Sequence, residues 1–251
     1  MKSSLLPPQL LKIFAGTLFA VLFIAPGWAQ DTVIMKTNQE RTGEVLSVAN
    51  RTLRLKSGPA EATIPLDQVL SVTKAPPAEF KTAQDALKAG NYAQALPALK
   101  TLTEKFLGLP SPWAEEASVE LGDIYIGLNQ IPEAEKAYTD FQKAYPQSSS
   151  LANIGLAQLA VAKKNYPDAK AKLEPILAEA AQVPRAEGIK GANYGRAYYL
   201  MGEIRQAEGD NPGALRDYLT TVTIFNQNPM TTAKALEKAN LLRKQKSVSV
   251  P

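Results

Sequence analysis

The sequence of 251 residues contains no histidine and no cysteine. Without histidine there is no Ser-His-Asp triad and no imidazole that titrates near neutral pH. Without cysteine there is no thiolate nucleophile, no disulfide and no thiolate zinc site. Gly-rich phosphate loops, the HExxH helix motif and the calcium-loop motif are absent as well. We therefore expect no cofactor, no bound metal, no nucleotide and no catalytic activity.

Long apolar runs are also scarce, and the one that stands out lies at the N-terminus. Ile13–Ile24 carries no charge, follows Lys2 and Lys12, and ends before Pro26-Gly27. It is shorter than the roughly 20 residues that a membrane-spanning helix needs, so export with cleavage after Ala29 is favoured over a retained anchor. We expect residues 1–29 to be a signal peptide and the remainder to act in the periplasm or outside the cell.

The excess of positive charge is small. Removal of residues 1–29 leaves 26 basic and 24 acidic residues. This net positive charge is too small to indicate binding to nucleic acid. Basic residues collect only near the C-terminus, at Lys234, Lys238, Arg243, Lys244 and Lys246. This end is typical of a solvated final helix whose C-terminal dipole favours cations, and contact with an anionic surface is the alternative.

Five short alternating runs separated by polar turns predict a small β module over residues 30–76. In one of them Leu53 and Leu55 would face a core while Arg54 faces water. The runs are Thr32–Lys36, Gly43–Ala49, Thr52–Lys56, Ala62–Leu66 and Val69–Thr73. We expect an α+β protein whose N-terminal strands close into a small SH3-like or Sm-like β barrel. A module this small needs support from the helices that follow.

After Pro76-Pro77 the strand patterns stop and a repeat begins. Each copy has a turn residue followed five positions later by alanine. The four copies are Gly90 with Ala95, Asn129 with Ala134, Lys164 with Ala169, and Gly209 with Ala214. Three of them place a proline at the start of the next helix, at Pro132, Pro167 and Pro212. The alanines recur after 39, 35 and 45 residues, so we expect insertions between the units.

These residues resemble the tetratricopeptide repeat, in which each unit is a pair of antiparallel helices. The second copy matches best, through Leu121, Gly122, Tyr125, Asn129, Ala134, Tyr138 and Pro146. The resemblance covers residues 78–229 and implies an all-α solenoid of about four units. Residues 230–251 would then form a capping helix and tail, with Ala235, Ala239 and Leu242 on its apolar side. The irregular spacing is similar to that of exported bacterial envelope members of the family.

The resemblance also implies that the first helix of each pair lines a concave groove. Positions ten, six and three residues before each turn residue would face that groove. They form apolar rows on either side of an acidic or amide row, and we take them as the candidate partner-binding residues: Phe80, Val119, Ile154 and Tyr199; Gln84, Asp123, Gln158 and Glu203; and Leu87, Ile126 and Val161.

The sequence thus predicts a non-catalytic scaffold that binds an envelope protein through an apolar peptide or helix. Several alternatives stay open. The groove can be filled by the chain itself, or the partner can be a second copy of the chain. The β module can read cell-wall glycan, and a further sugar contact is offered by Tyr194, Tyr198 and Tyr199 with Arg196. An enzyme would have to use carboxylates such as Glu115 and Glu116, which are typical of a solvated first helical turn.

Overall fold

The structure, a computed structural model, describes residues 30–245, and the part from Asp31 onward forms one compact unit. The predicted signal peptide and Lys246 lie outside the described residues. Five strands come first, followed by a series of helices. The strands are β1 Asp31–Met35, β2 Glu40–Ala49, β3 Thr52–Ser57, β4 Ala60–Pro65 and β5 Val69–Thr73, with a single 3-10 turn at Leu66–Gln68 before β5.

The strands form one antiparallel sheet in the order β4-β3-β2-β1-β5. The predicted alternation in β3 is confirmed, because Leu53 and Leu55 are buried while Arg54 is exposed. The prediction that the strands close into a barrel is wrong, because within the described residues the outer strands β4 and β5 do not pair with each other. The outer edge of β5 is occupied instead by the chain that precedes the third helix, where the Val72 N–H donates to the Pro110 carbonyl at 2.9 Å.

The helices pair as the repeat predicts. Helices α1 and α2, α3 and α4, α5 and α6, and α7 and α8 pack side by side, and α9 covers the last pair. Their bounds are α1 Ala78–Lys88, α2 Tyr92–Phe106, α3 Pro112–Gly127, α4 Ile131–Ala144, α5 Ser149–Ala162, α6 Tyr166–Ala181, α7 Gly188–Ala207, α8 Asn211–Thr223 and α9 Pro229–Lys244.

The turn within each pair passes through one residue with left-handed backbone. These residues are the four predicted turn positions, with φ between 58° and 86° at Gly90, Asn129, Lys164 and Gly209. A left-handed residue commonly ends a helix, because it redirects the chain and frees the last carbonyls for capping. The prolines that follow lie in the first turn of α4, α6 and α8, where no helical hydrogen bond is lost.

The alanine that follows each turn lies where the two helices of a pair touch. Ala95, Ala134, Ala169 and Ala214 are all completely buried. A larger side chain at such a position would force the helices apart, at a cost of roughly 1–3 kcal/mol. Complete burial of these alanines therefore fits close contact between the two helices of each pair.

The sheet and the first helices share one hydrophobic core. Buried side chains of all five strands pack together with those of α1, α2 and α3. Trp113 joins the two parts: its ring contacts Phe80 and Phe106, and its indole N–H donates to the Lys74 carbonyl at 2.9 Å. The strands over residues 30–76 therefore depend on the helices, as their small size requires.

The last helix, α9, caps the array. Ala235, Ala239 and Leu242 are completely buried against α8, as predicted from their spacing. Of the basic residues of α9, Lys234, Arg243 and Lys244 are exposed. No helix between residues 30 and 245 combines the length and apolar character needed to cross a lipid bilayer.

Tyr138 of α4 packs between the second and third helix pairs. It is completely buried and lies against two glycines, Gly122 on α3 and Gly155 on α5. A Cβ atom added at either glycine would overlap the tyrosine ring. Gly202 of α7 faces Tyr218 of α8 in the same way, so a glycine opposite a tyrosine recurs in the array.

We expect Gly122→Ala to lower the free energy of unfolding by up to about 2 kcal/mol. Overpacking typically costs roughly 1–3 kcal/mol, and the better helix propensity of alanine offsets about 1 kcal/mol. Urea unfolding followed by circular dichroism measures the change. The control is a double-mutant cycle with Tyr138→Leu, which makes room for the new methyl group. The steric explanation fails if the effects of the two substitutions on the free energy of unfolding are additive.

Candidate binding cavity

The first helices of the pairs surround a cavity of about 630 Å³. Its walls come from α1, α3, α5 and α7, as the resemblance implied, and from the N-terminal turn of α9. Strand β5 adds Leu70 at the rim, and the segment before α3 adds Pro110 and Ser111. A second cavity of about 340 Å³ adjoins the first and shares Glu116, Glu120 and Ile189 with it. We call the two together the central cavity.

Nine of the eleven predicted groove residues line the central cavity. Gln84 lies in the smaller part, and the others line the larger part, with Leu87 in both: Leu87, Val119, Asp123, Ile126, Gln158, Val161, Tyr199 and Glu203. The repeat spacing therefore brings most of the predicted positions together in space. Their role in binding stays a prediction.

Phe80 and Ile154 are the exceptions, and the apolar row ten residues before the turn is not continuous. Phe80 is buried against Trp113 in the core shared with the sheet, with ring centroids 6.0 Å apart. Ile154 is completely buried in the core around α6 and α7. Both residues face packing partners, so neither is on the cavity wall. The expectation that they line the groove is wrong.

The cavity is narrower than an open groove because the two ends of the array approach each other. The Lys234 ammonium of α9 lies 3.5 Å from the Tyr92 hydroxyl of α2, across 142 positions of sequence. Met230 and Thr231, in the first turn of α9, also line the cavity. A volume of about 630 Å³ suits a short segment of chain or a drug-sized ligand rather than a whole helix.

An ion pair crosses the centre of the cavity. The Arg196 guanidinium of α7 donates to both carboxylate oxygens of Asp123 on α3, at 2.8 and 3.0 Å, and to the Gln158 side-chain oxygen at 3.3 Å. The Tyr138 hydroxyl donates to the same carboxylate at 2.5 Å. Asp123 thus connects three helices, and its charge is compensated within the fold.

Two further carboxylates of α3, Glu116 and Glu120, line the cavity on the same helical face as Asp123. The Gln84 amide donates to one oxygen of Glu120 at 3.5 Å, and the other oxygen is buried without a hydrogen-bond partner. Burial, together with repulsion from Glu116 and Asp123, raises the pKa of Glu120 to about 8. Burial also raises the pKa of Glu116.

Sequence reasoning missed Glu116, Glu120 and Arg196 as cavity residues. Counting one helical turn further back, thirteen residues before Asn129, Lys164 and Gly209, gives Glu116, Leu151 and Arg196, and all three line the cavity. That extra turn was the available signal. The three rows used for the prediction stopped one turn short of Arg196.

The other sequence-derived candidates have structural roles. Tyr194 and Tyr198 pack on Phe225, with ring centroids 5.3 and 5.6 Å away, so they form packing between helices rather than a sugar platform. Glu115 accepts a hydrogen bond from the Ser148 hydroxyl at 2.6 Å, and burial raises its pKa, so it is not simply a solvated first-turn residue. Between residues 30 and 245 no cluster of acidic side chains has the geometry to hold a metal ion.

We expect Glu120→Gln to make the protein more stable than the wild type at pH 8 but not at pH 5. Above its ordinary pKa of 4.5, Glu120 loses its proton in the unfolded chain and keeps it in the folded one until about pH 8. The free energy of unfolding of the wild type therefore falls over this interval. The variant lacks this decrease, which amounts to roughly 1 kcal/mol or more.

Chemical unfolding at pH 5, 6, 7 and 8 measures the difference. Glu174→Gln, which removes an exposed carboxylate on α6, is the matched control. Its free energy of unfolding should change with pH as that of the wild type does. Parallel curves for the wild type and Glu120→Gln would show that Glu120 is ionised normally in the folded protein.

Comparison with known proteins agrees with the helix pairs. The tetratricopeptide repeat family model matches residues 80–149 and, overlapping with it, 119–184. A MamA RS-1 double mutant is 18% identical over 69% of this chain and 99% of its own, with a TM-score of 0.39. MamA from Desulfovibrio magneticus RS-1, residues 41 to the end, is 18% identical over 70% and 100%, with a TM-score of 0.37. No curated protein matches the sequence. The chain therefore contains tetratricopeptide repeats, matched by the family model from residue 80 to residue 184.

Proposed function

We propose that the protein is a non-catalytic interaction scaffold of the bacterial cell envelope that holds a partner protein by a short apolar segment bound in the central cavity. The observation that carries the proposal is the cavity itself. It is formed by the faces of the repeat helices that the array leaves unpacked, and its walls include Leu87, Ile126, Leu151 and Val161. Tetratricopeptide repeats bind protein partners, which supports a protein as the ligand.

The cavity also has an apolar entrance. Leu70 of β5 and Ile189 of α7 are among the most exposed large apolar side chains of the described chain, at 55% and 62%, and both line the cavity. Exposed apolar side chains on the wall of a cavity favour association with another apolar surface. A segment bound in the cavity would cover apolar surface at these two residues.

The envelope location rests on the sequence of residues 1–29. The charged start, the apolar run and the small residues Gly27 and Ala29 follow the order found in secretory signals. Strand β1 begins at Asp31, immediately after the expected cleavage point, so cleavage there would remove no part of the sheet.

We expect the protein recovered from its bacterial host to begin at Gln30. Signal peptidase would cleave after Ala29, and the product would be released from the envelope by osmotic shock. Mass spectrometry of the intact protein and of its N-terminal peptide identifies the first residue. A cell-associated chain that still begins at Met1 would overturn export with cleavage.

We expect Ile189→Lys to abolish partner capture without unfolding the protein. Ile189 is exposed near the start of α7, so the substitution leaves the core intact, and it adds a charge at the apolar entrance. Tagged wild type and variant are incubated with envelope extract, and the bound proteins are compared by quantitative mass spectrometry. Circular dichroism confirms that both are folded.

Leu241→Lys is the matched control, because it introduces the same charge at a 49% exposed leucine of α9 that lies outside the cavity. A partner that the control and the wild type capture equally and Ile189→Lys does not would support the proposal. The same bound proteins in all three samples, or none in any, would contradict it.

A further inference from the structure

Carboxyl groups outnumber cations around the central cavity. Five carboxyl groups and two cations line its larger part, and the smaller part adds Lys88 as a third cation. The carboxylates are those of Glu115, Glu116, Glu120, Asp123 and Glu203, and the cations are those of Arg196 and Lys234. The mature chain as a whole is nearly neutral, so the excess of carboxyl groups is a local property of this surface.

The cations around the central cavity have other partners, and Lys88, which lines the smaller part, pairs with Asp85 at 3.5 Å. Arg196 is held by Asp123, and Glu203 has Lys238 of α9 at 3.9 Å. Lys234 points to the Tyr92 hydroxyl. Within residues 30–245, neither Glu116 nor Glu120 has a lysine or arginine nitrogen within salt-bridge distance. These two carboxylates are therefore left without a direct counter-ion.

The Glu120 carboxyl group lacks good hydrogen bonds as well as a counter-ion. One of its oxygens receives only the long contact from Gln84, and the other has no hydrogen-bond partner. A carboxylate in a low-dielectric site without a counter-ion is costly, and a cation brought next to it relieves that cost. Glu116, four residues earlier on the same face of α3, is exposed and gives a ligand direct access to the pair.

Apolar side chains lie beside the two carboxylates. Leu87 of α1, Ile189 of α7 and Met230 of α9 line both parts of the central cavity, as Glu116 and Glu120 do. This combination of an apolar path with a charged end fits the side chains of lysine and arginine, which lay their aliphatic stems on apolar surface and present a cation at the tip.

We propose that the central cavity recognises a short peptide segment of the partner that carries a lysine or arginine next to apolar residues, with the cation placed at Glu116 and Glu120. This inference rests on the proposed function and specifies the chemistry of the bound segment. The volume admits a few residues of chain, and the apolar walls and entrance hold the neighbouring side chains. Charge complementarity thus selects the segment, and apolar burial retains it.

A peptide selection tests the inference. Random heptapeptides displayed on phage are selected on the purified protein, and the enriched sequences are synthesised for binding measurements. We expect a lysine or arginine in the enriched peptides, beside apolar residues. Replacing that residue by norleucine, and replacing Glu116 and Glu120 together by glutamine, should each weaken binding by tenfold or more. Glu174→Gln, an exposed change on α6, should leave binding unchanged.

The pH dependence of binding separates recognition of the cation from a structural effect. Glu120 is faced by Glu116 and Asp123 on α3, by Gln84 on α1 and by Arg196 on α7. Because the free protein holds a proton on Glu120 up to about pH 8, a cationic peptide should bind more tightly as the pH rises from 6 to 9. The norleucine peptide should lack that dependence.

The outcomes distinguish this inference from the proposed function. If the enriched peptides have no basic residue and lose affinity on Ile189→Lys, the cavity is a peptide site of another chemistry and the inference is wrong. If no peptide is enriched, or if free cadaverine binds as tightly as the peptides, the inference is also wrong. The function itself is then decided by the capture experiment.

Discussion

The close approach of the two helices within each pair is the constraint on which the structure depends. It requires a completely buried alanine at each contact, namely Ala95, Ala134, Ala169 and Ala214, and a left-handed turn residue five positions earlier. With these two features repeated, every first helix faces the same side of the array. The central cavity is therefore a consequence of how the pairs are packed, because the first helices present to one another the faces that they do not use for packing.

Asp123 belongs both to this packing and to the cavity. Its carboxylate accepts from the buried Tyr138, which wedges α4 between α3 and α5, and it pairs with Arg196 of α7 on the far wall. Helices of the second and the fourth pair thus meet at one charged group. A substitution at Asp123 would disturb the fold and the cavity together, so it cannot serve to test binding. The residues that can be tested are those that the packing does not use.

Much of the fold follows from local sequence patterns, and less of the cavity does. The alternation of β3 and the spacing from Asn129 to Ala134 each report contacts within one element or one pair, where the period decides the exposed face. The contributions of Leu70 and Met230 to the cavity could not be predicted. They depend on how the sheet edge and α9 fold back over the array, as the contact between Lys234 and Tyr92 across 142 positions shows. No local pattern reports that curvature.

Asp123 has a structural role, but Glu116 and Glu120 make no comparable contacts between helices. They stand four residues apart on one helical face, where two ionised carboxylates would repel each other, and one oxygen of Glu120 is buried without a hydrogen-bond partner. An apolar side chain at position 120 would avoid this cost, and the neighbouring Leu87 and Ile189 would provide contacts for it. In the proposed complex a cation of the bound segment would offset this cost, and the specificity of the scaffold would then lie on α3.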